Sequence, residues 1–121
     1  MIKIGVDRLD KIDFKLLAKI EYLIEYVDIY VFSSFPRHER GIRDILSNAL
    51  YDLLNNCSLA NFNNGSIRTK YQKAMLSNIV SIDFCFGFIL DKKIITLKRF
   101  YTLVSILNEV KTMTYGWIDG K

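Results

Sequence analysis

Apolar residues recur every three or four positions in four stretches of the chain. In the first stretch, over residues 10–32, these positions are Ile12, Leu16, Ile20, Leu23, Val27 and Tyr30. Residues 36–59, 67–90 and 95–118 repeat the same spacing. This period is typical of amphipathic helices, so the pattern predicts four of them.

Short helix-breaking or polar segments separate the four stretches. Pro36, the only proline, follows Ser33-Ser34-Phe35 and suits a first helical position. Residues 61–66 contain three asparagines and a glycine and are the clearest loop. Because short connections make successive helices antiparallel, we expect an all-α, up-down-up-down four-helix bundle that takes up residues 1–121 as one domain.

The region 81–104 also fits a β-hairpin. Ile82, Phe84, Phe86 and Phe88 occupy alternate positions, and Asp91-Lys92-Lys93 would form the turn. We favour helix, because the helical period continues from residue 71 and returns after residue 95.

The composition is that of one folded domain. The chain has 121 residues, of which 50% are hydrophobic, and a formal net charge of +4. Such a chain can fold without a metal or a disulfide, and its apolar content excludes disorder. Its longest apolar stretch, 79–90, is interrupted by polar residues and is shorter than the roughly 20 residues of a membrane span. Residues 1–10 show no signal-peptide pattern, so we expect a cytoplasmic protein.

Residues that support catalysis are rare. His38 is the only histidine, and it lies among arginines, which is an unfavourable setting for a general base. Cys57 and Cys85 stand in no metal-ligand spacing and are expected to be reduced, buried thiols. A glycine-rich phosphate loop is also absent, so the sequence predicts neither an enzyme nor a metal or other cofactor.

The predicted topology gathers basic residues at both ends of the bundle and leaves an acidic middle. One end lies where the first and third helices stop and the second and fourth begin. Concentrated positive charge attracts phosphate backbones without base reading, so we predict weakly sequence-specific RNA or DNA binding there. The alternative is that these cations only keep the chain in solution. The candidate contacts are Arg37, Arg40, Arg43, Lys92, Lys93, Lys98 and Arg99.

Residues 79–90 are more apolar than one bundle core requires. Nine of these twelve residues are apolar, which on a helix covers nearly every face. The surplus predicts contact with a second copy of the chain, with Phe84, Phe86 and Phe88 as candidate packing residues. Asp83 is the least expected polar residue in this run, and Gly87 would permit close approach of another helix.

The order of several short motifs resembles that of one protein family. Phe35-Pro36-Arg37-His38-Glu39-Arg40 follows the first helix, Leu50-Tyr51-Asp52-Leu53-Leu54 lies in the second, and Lys98-Arg99-Phe100-Tyr101 opens the fourth. The chain closes with Leu107-Asn108-Glu109-Val110 and Gly116-Trp117-Ile118. Over residues 14–119 it resembles the Avd proteins, the accessory variability determinants of diversity-generating retroelements. More distantly, it resembles the four-helix proteins encoded in large-subunit rRNA intervening sequences.

The resemblance implies a four-helix bundle that assembles as a homopentameric ring. It implies a non-catalytic accessory protein that binds the retroelement's reverse transcriptase and nucleic acid, either template RNA or cDNA, and so supports mutagenic retrohoming. Arg37, Arg40, Lys98 and Arg99 match basic positions of the family, which implies nucleic-acid or polymerase contacts. Trp117 matches the family's terminal tryptophan, which implies a packing residue, and we group it with the phenylalanines of the predicted oligomer contact.

The chain departs from the family in its third helix. Avd-like chains often carry arginines four residues apart there, whereas this chain has Asp83 and Gly87. Part of the family's basic surface is therefore missing. The alternatives are an intervening-sequence-type four-helix protein and a small helical protein–protein interaction module that binds no nucleic acid.

Overall fold

The computed structural model describes residues 14–120 and is all-helical over that range. Four long helices follow one another: α1 (Lys15–Tyr30), α2 (Arg40–Phe62), α3 (Gly65–Asp91) and α4 (Leu97–Gly120). Two short 3₁₀ turns, Phe32–Ser34 and Arg37–Glu39, connect α1 to α2. No strand occurs within residues 14–120. The prediction of four helices is confirmed, and so is the preference for helix over a hairpin in residues 81–104.

The apolar stripes of the four helices meet in one core. In α1 the buried positions are Leu16, Ile20, Leu23 and Val27, as predicted. Tyr30, the last position of the predicted stripe, is about half exposed, and so is Ile45 in α2. Ile45 adjoins Leu46, and because neighbouring helical residues point about 100° apart, only Leu46 faces the core.

Each helix packs against two others. α2 contacts α1 and α3, and α4 contacts α3 and α1. Polar pairs support two of these contacts: Asn56 donates a 2.8 Å hydrogen bond to Asn78 between α2 and α3, and Lys19 lies 2.7 Å from Glu109 between α1 and α4. The core therefore lies inside a closed set of four helices.

The predicted limits of the first two helices are wrong near Pro36. α1 ends at Tyr30 rather than residue 32, and α2 begins at Arg40 rather than residue 36. Pro36 has an extended backbone, with ψ at 137°, so it precedes a 3₁₀ turn instead of opening the α-helix. Residues 10–13 of the predicted first helix lie outside the described range.

The predicted loop at 61–66 is shorter than expected. α2 continues to Phe62 and α3 begins at Gly65, so only Asn63 and Asn64 lie between them. Side chains satisfy the carbonyls at the end of α2: Asn63 donates to Leu59 at 2.7 Å, and Arg68 donates to Ala60 at 2.9 Å. These bonds support the extra turn of helix, and Gly65, with φ of +59°, permits the sharp entry into α3.

The end of α3 is closed by a Schellman motif centred on Lys93. The amide of Lys93 bonds to the Leu90 carbonyl and the amide of Ile94 bonds to the Ile89 carbonyl, both at 2.9 Å. Lys93 has φ of 62°, and within residues 14–120 it is the only non-glycine residue with positive φ. A lysine thus occupies a position that favours glycine.

Replacing Lys93 with glycine is expected to raise the free energy of unfolding by about 1 kcal/mol, because glycine adopts positive φ without the Cβ clash. Lys93→Ala removes the same charge but keeps the Cβ, so it is the matched control and is expected to change stability by less than about 0.5 kcal/mol. Urea denaturation followed by circular dichroism measures both variants. Equal stabilities would contradict this account of the cap.

Candidate nucleic-acid interface

The seven predicted cationic contacts lie at one end of the bundle. Lys92, just after α3, places its Nζ 3.2 Å from Glu39 Oε2, just before α2. Arg99, in the first turn of α4, donates a 2.8 Å hydrogen bond to the hydroxyl of Tyr26 in α1. The starts of α2 and α4 are therefore brought to the ends of α3 and α1. We call this set of seven residues the basic end: Arg37, Arg40, Arg43, Lys92, Lys93, Lys98 and Arg99.

Two arginines of the basic end are held by aromatic rings. The Arg99 guanidinium lies 4.4 Å from the centroid of Tyr30 and 5.6 Å from that of Tyr26. The Arg43 guanidinium lies 4.5 Å from the centroid of Phe32. Cation–π attraction restricts these side chains, and both are half-buried. The other five cations are exposed to solvent.

A surface depression lies beside the start of α2. It has a volume of about 510 Å³. Three of its lining residues are arginines, and the other two are an aromatic residue and the proline. We call it the arginine pocket, and its lining residues are Phe35, Pro36, Arg37, Arg40 and Arg43.

Acidic groups neutralise the basic end only in part. Glu39 faces Lys92, and its Oε2 also lies 3.8 Å from His38 Nε2. The side chain of His38 is largely exposed and lies in the 3₁₀ turn before α2. Three further carboxylates are exposed and lie within a few residues of the helix ends at this side: Asp28, Asp44 and Asp91. Seven cations against four carboxylates leave this end positive.

The four candidate packing residues occupy different environments. Phe84 is 62% exposed and its ring lies 5.9 Å from that of half-buried Phe88. Phe86 is fully buried in the core, because it falls on the α3 stripe that faces α2 and α4. It therefore packs within the chain and has no surface to offer another copy. Val80, one turn before Phe84, is 69% exposed and extends the apolar surface.

Trp117 also packs within its own chain. Its ring lies 4.9 Å from that of Phe14 in an edge-on arrangement, and the Arg68 guanidinium lies 5.4 Å from its centroid. These two neighbours come from the start of α1 and the start of α3. The side chain is partly buried by these contacts.

The two unusual residues of α3 have ordinary surroundings. Asp83 is exposed, so it needs no buried cationic partner. A Cβ placed on Gly87 would meet no atom within 4 Å among the described residues. Gly87 therefore does not mark close approach of another helix inside this bundle.

Sequence reasoning did not single out a row of tyrosines on α1. Tyr22, Tyr26 and Tyr30 lie one helical turn apart, with ring centroids 6.2 Å apart for the first pair and 4.7 Å for the second. Their spacing of four residues was the signal available in the sequence. Two of them, Tyr26 and Tyr30, lie against Arg99 and place aromatic surface beside the basic end.

Both thiols are buried within the bundle. Burial, together with a smaller effect of the negative charge of Glu21, raises the pKa of Cys57 to about 12. Burial also raises the pKa of Cys85. Both are free thiols, and near neutral pH they are protonated and poor nucleophiles. No group of acidic, histidine and cysteine side chains suited to a metal ion occurs within residues 14–120.

Helix α3 is long and apolar enough, by length and composition alone, to cross a membrane. One third of its most apolar window is buried. A core helix of a bundle meets the same criterion, so the expectation that the chain has no span stays a prediction.

Comparison with known proteins gives the chain no relatives: no family profile, no curated protein and no solved structure matches it. The resemblance to the Avd proteins therefore stays a prediction from the motifs.

Proposed function

We propose that this protein is an Avd-like accessory subunit of a diversity-generating retroelement. It binds the retroelement's reverse transcriptase, binds template RNA or cDNA at the basic end, and supports mutagenic copying without catalysing it. The observation that carries the proposal is the gathering of seven cations, drawn from three separate segments, at one end of a helical bundle. Cations placed in this way attract a polyanion whatever its sequence.

The proposal includes an antiparallel, up-down-up-down order of the helices. Contacts between helix ends support it. Arg68, at the start of α3, bonds to Ala60 near the end of α2, and Arg99, at the start of α4, bonds to Tyr26 near the end of α1. The connection of only two residues between α2 and α3 also favours antiparallel packing.

The proposal also includes assembly as a homopentameric ring. The number five comes from the resemblance, whereas the surface of α3 supports self-association in general. Val80 and Phe84 are both more than 60% exposed and lie one turn apart, with Phe88 beside them. Large exposed apolar side chains that are contiguous mark surfaces that other proteins cover. A ring would repeat the basic end once per subunit and strengthen its field.

A salt titration tests the nucleic-acid part of the proposal. We expect the full chain to bind a fluorescent single-stranded RNA with little sequence preference. If five phosphates are contacted, the logarithm of the affinity falls with the logarithm of salt concentration with a slope of about −3.5. Fluorescence anisotropy at several salt concentrations measures this slope. Absence of binding at low salt would contradict the proposal.

A further inference from the structure

We propose that the arginine pocket binds the terminal phosphate of a nucleic-acid strand. This inference rests on the proposed function and adds to it, because it assigns to one part of the basic end a preference for a strand's end over its interior. It follows from the charge, rigidity and shape of the pocket.

The charge of the pocket is positive and concentrated. Three of its lining residues are arginines, and no carboxylate occurs among the described residues that line it. Glu39, which lies between Arg37 and Arg40 in sequence, is 3.2 Å from Lys92 and so has a cation of its own. Within residues 14–120, Arg37 and Arg40 form no ion pair. The pocket thus keeps its positive charge available to a ligand.

A terminal phosphate matches this charge better than an internal one. A phosphate monoester carries about −1.5 to −2 near neutral pH and presents three acceptor oxygens. An internal phosphodiester carries a single negative charge. One guanidinium group can donate two hydrogen bonds to the oxygens of a single phosphate. Three guanidinium groups around one depression therefore favour the phosphate that has more charge and more acceptor oxygens.

The backbone that carries the three arginines has little conformational freedom. Pro36 fixes φ at −65° immediately before Arg37, which lies in a 3₁₀ turn, and Arg40 is the first residue of α2. Arg43 lies over the Phe32 ring, and that ring packs edge-on against Phe35 at 5.9 Å. A rigid site loses less conformational entropy on binding.

The shape of the pocket suits the end of a strand. Its volume of about 510 Å³ falls within the range of sites that hold one small ligand, which is about 300 to 1,000 Å³. Phe35 and Pro36 form an apolar wall on which a terminal base can stack. The remaining four cations of the basic end lie outside the pocket, where they can contact the phosphates that follow.

The test compares one single-stranded RNA prepared with a 5′-phosphate, with a 3′-phosphate, or with hydroxyls at both ends. The label is internal, and the affinities are measured by anisotropy at one salt concentration. We expect at least one phosphorylated form to bind the full chain about tenfold more tightly than the hydroxyl form, as one added charge-assisted contact would give.

Two matched variants assign the preference to the pocket. Arg40→Gln is expected to remove the preference for a terminal phosphate. Lys98→Gln removes the same charge outside the pocket, so it is expected to weaken all three RNAs equally and to keep the preference. Circular dichroism confirms that both variants are folded. Both positions are exposed, so the substitutions leave the core intact.

The outcomes separate this inference from the proposed function. Equal affinities for the three RNAs, with a steep salt dependence, would overturn the pocket assignment and leave the proposed function standing. A preference that survives Arg40→Gln would also overturn it. If none of the RNAs binds at low salt, both the proposed function and the pocket assignment fail.

Discussion

Replacing both Arg40 and Lys98 with glutamate is expected to weaken binding of single-stranded RNA about a hundredfold at low salt. The two residues lie on different segments of the basic end, and both are exposed. Each loss removes one charge-assisted contact, which corresponds to about tenfold in affinity. The salt slope is expected to become shallower by about 1.4, since each phosphate contact of a single strand contributes about 0.7. Anisotropy titrations at several salt concentrations measure both quantities.

The control for this double variant reverses two charges near the start of α3, at the opposite end of that helix from the basic end. Lys70 and Lys73 are exposed on the first turns of α3, away from the basic end. Lys70→Glu combined with Lys73→Glu changes the net charge by the same amount. We expect it to weaken binding much less than the Arg40 and Lys98 variant. If the two double variants lose affinity equally, only the overall charge matters and the basic end is not the site.

Replacing Phe86 with alanine is expected to lower the free energy of unfolding by about 3 to 5 kcal/mol. Its side chain is fully buried and belongs to the largest side chains of the core. Removing the ring leaves a cavity that the surrounding helices can fill only in part, so lost transfer free energy and lost packing add together. Urea denaturation of the two proteins measures the difference.

Phe84→Ala is the matched control, because it makes the same change two residues away on the same helix. Phe84 is 62% exposed, so within one chain its loss is expected to alter the free energy of unfolding by less than about 1 kcal/mol. In native mass spectrometry, however, the wild-type chain is expected to be a ring and Phe84→Ala a smaller species. A wild-type monomer at micromolar concentration would contradict the proposed ring, and equal destabilisation by both changes would contradict the assignment of Phe86 to the core.

The candidate site was predictable in outline and not in detail. The positions of the cations follow from the helix order, because short connections bring alternate helix ends together. The sequence could not distinguish the roles of those cations. Arg43 and Arg99 are held over Phe32 and Tyr30, whereas Arg37 and Arg40 are exposed beside a depression. These differences depend on contacts between residues on different segments, which spacing does not reveal.

The hydrophobic period alone indicated that the chain is helical and, outside the apolar run 79–90, which face of a helix is buried. In α1, for example, the buried residues are the stripe positions Leu16, Ile20, Leu23 and Val27. Apolar residues that recur about once per helical turn lie on one face of the helix, and that face packs against the core. Helix ends depended on other interactions. α2 extends to Phe62 because Asn63 and Arg68 satisfy its last carbonyls. α3 ends at Asp91, and Lys93 takes the place of the usual glycine in the motif that closes it.

Only the tertiary structure decided which of the neighbouring aromatic residues in α3 belong to the core. Phe84, Phe86 and Phe88 look alike in the sequence, yet the first is exposed, the second is fully buried and the third is half-buried. Successive helical positions turn by about 100°, so residues two apart point to different neighbours. The packing of the whole bundle decides which of those directions meets α2 or α4 and which meets solvent, because burial depends on the surrounding helices.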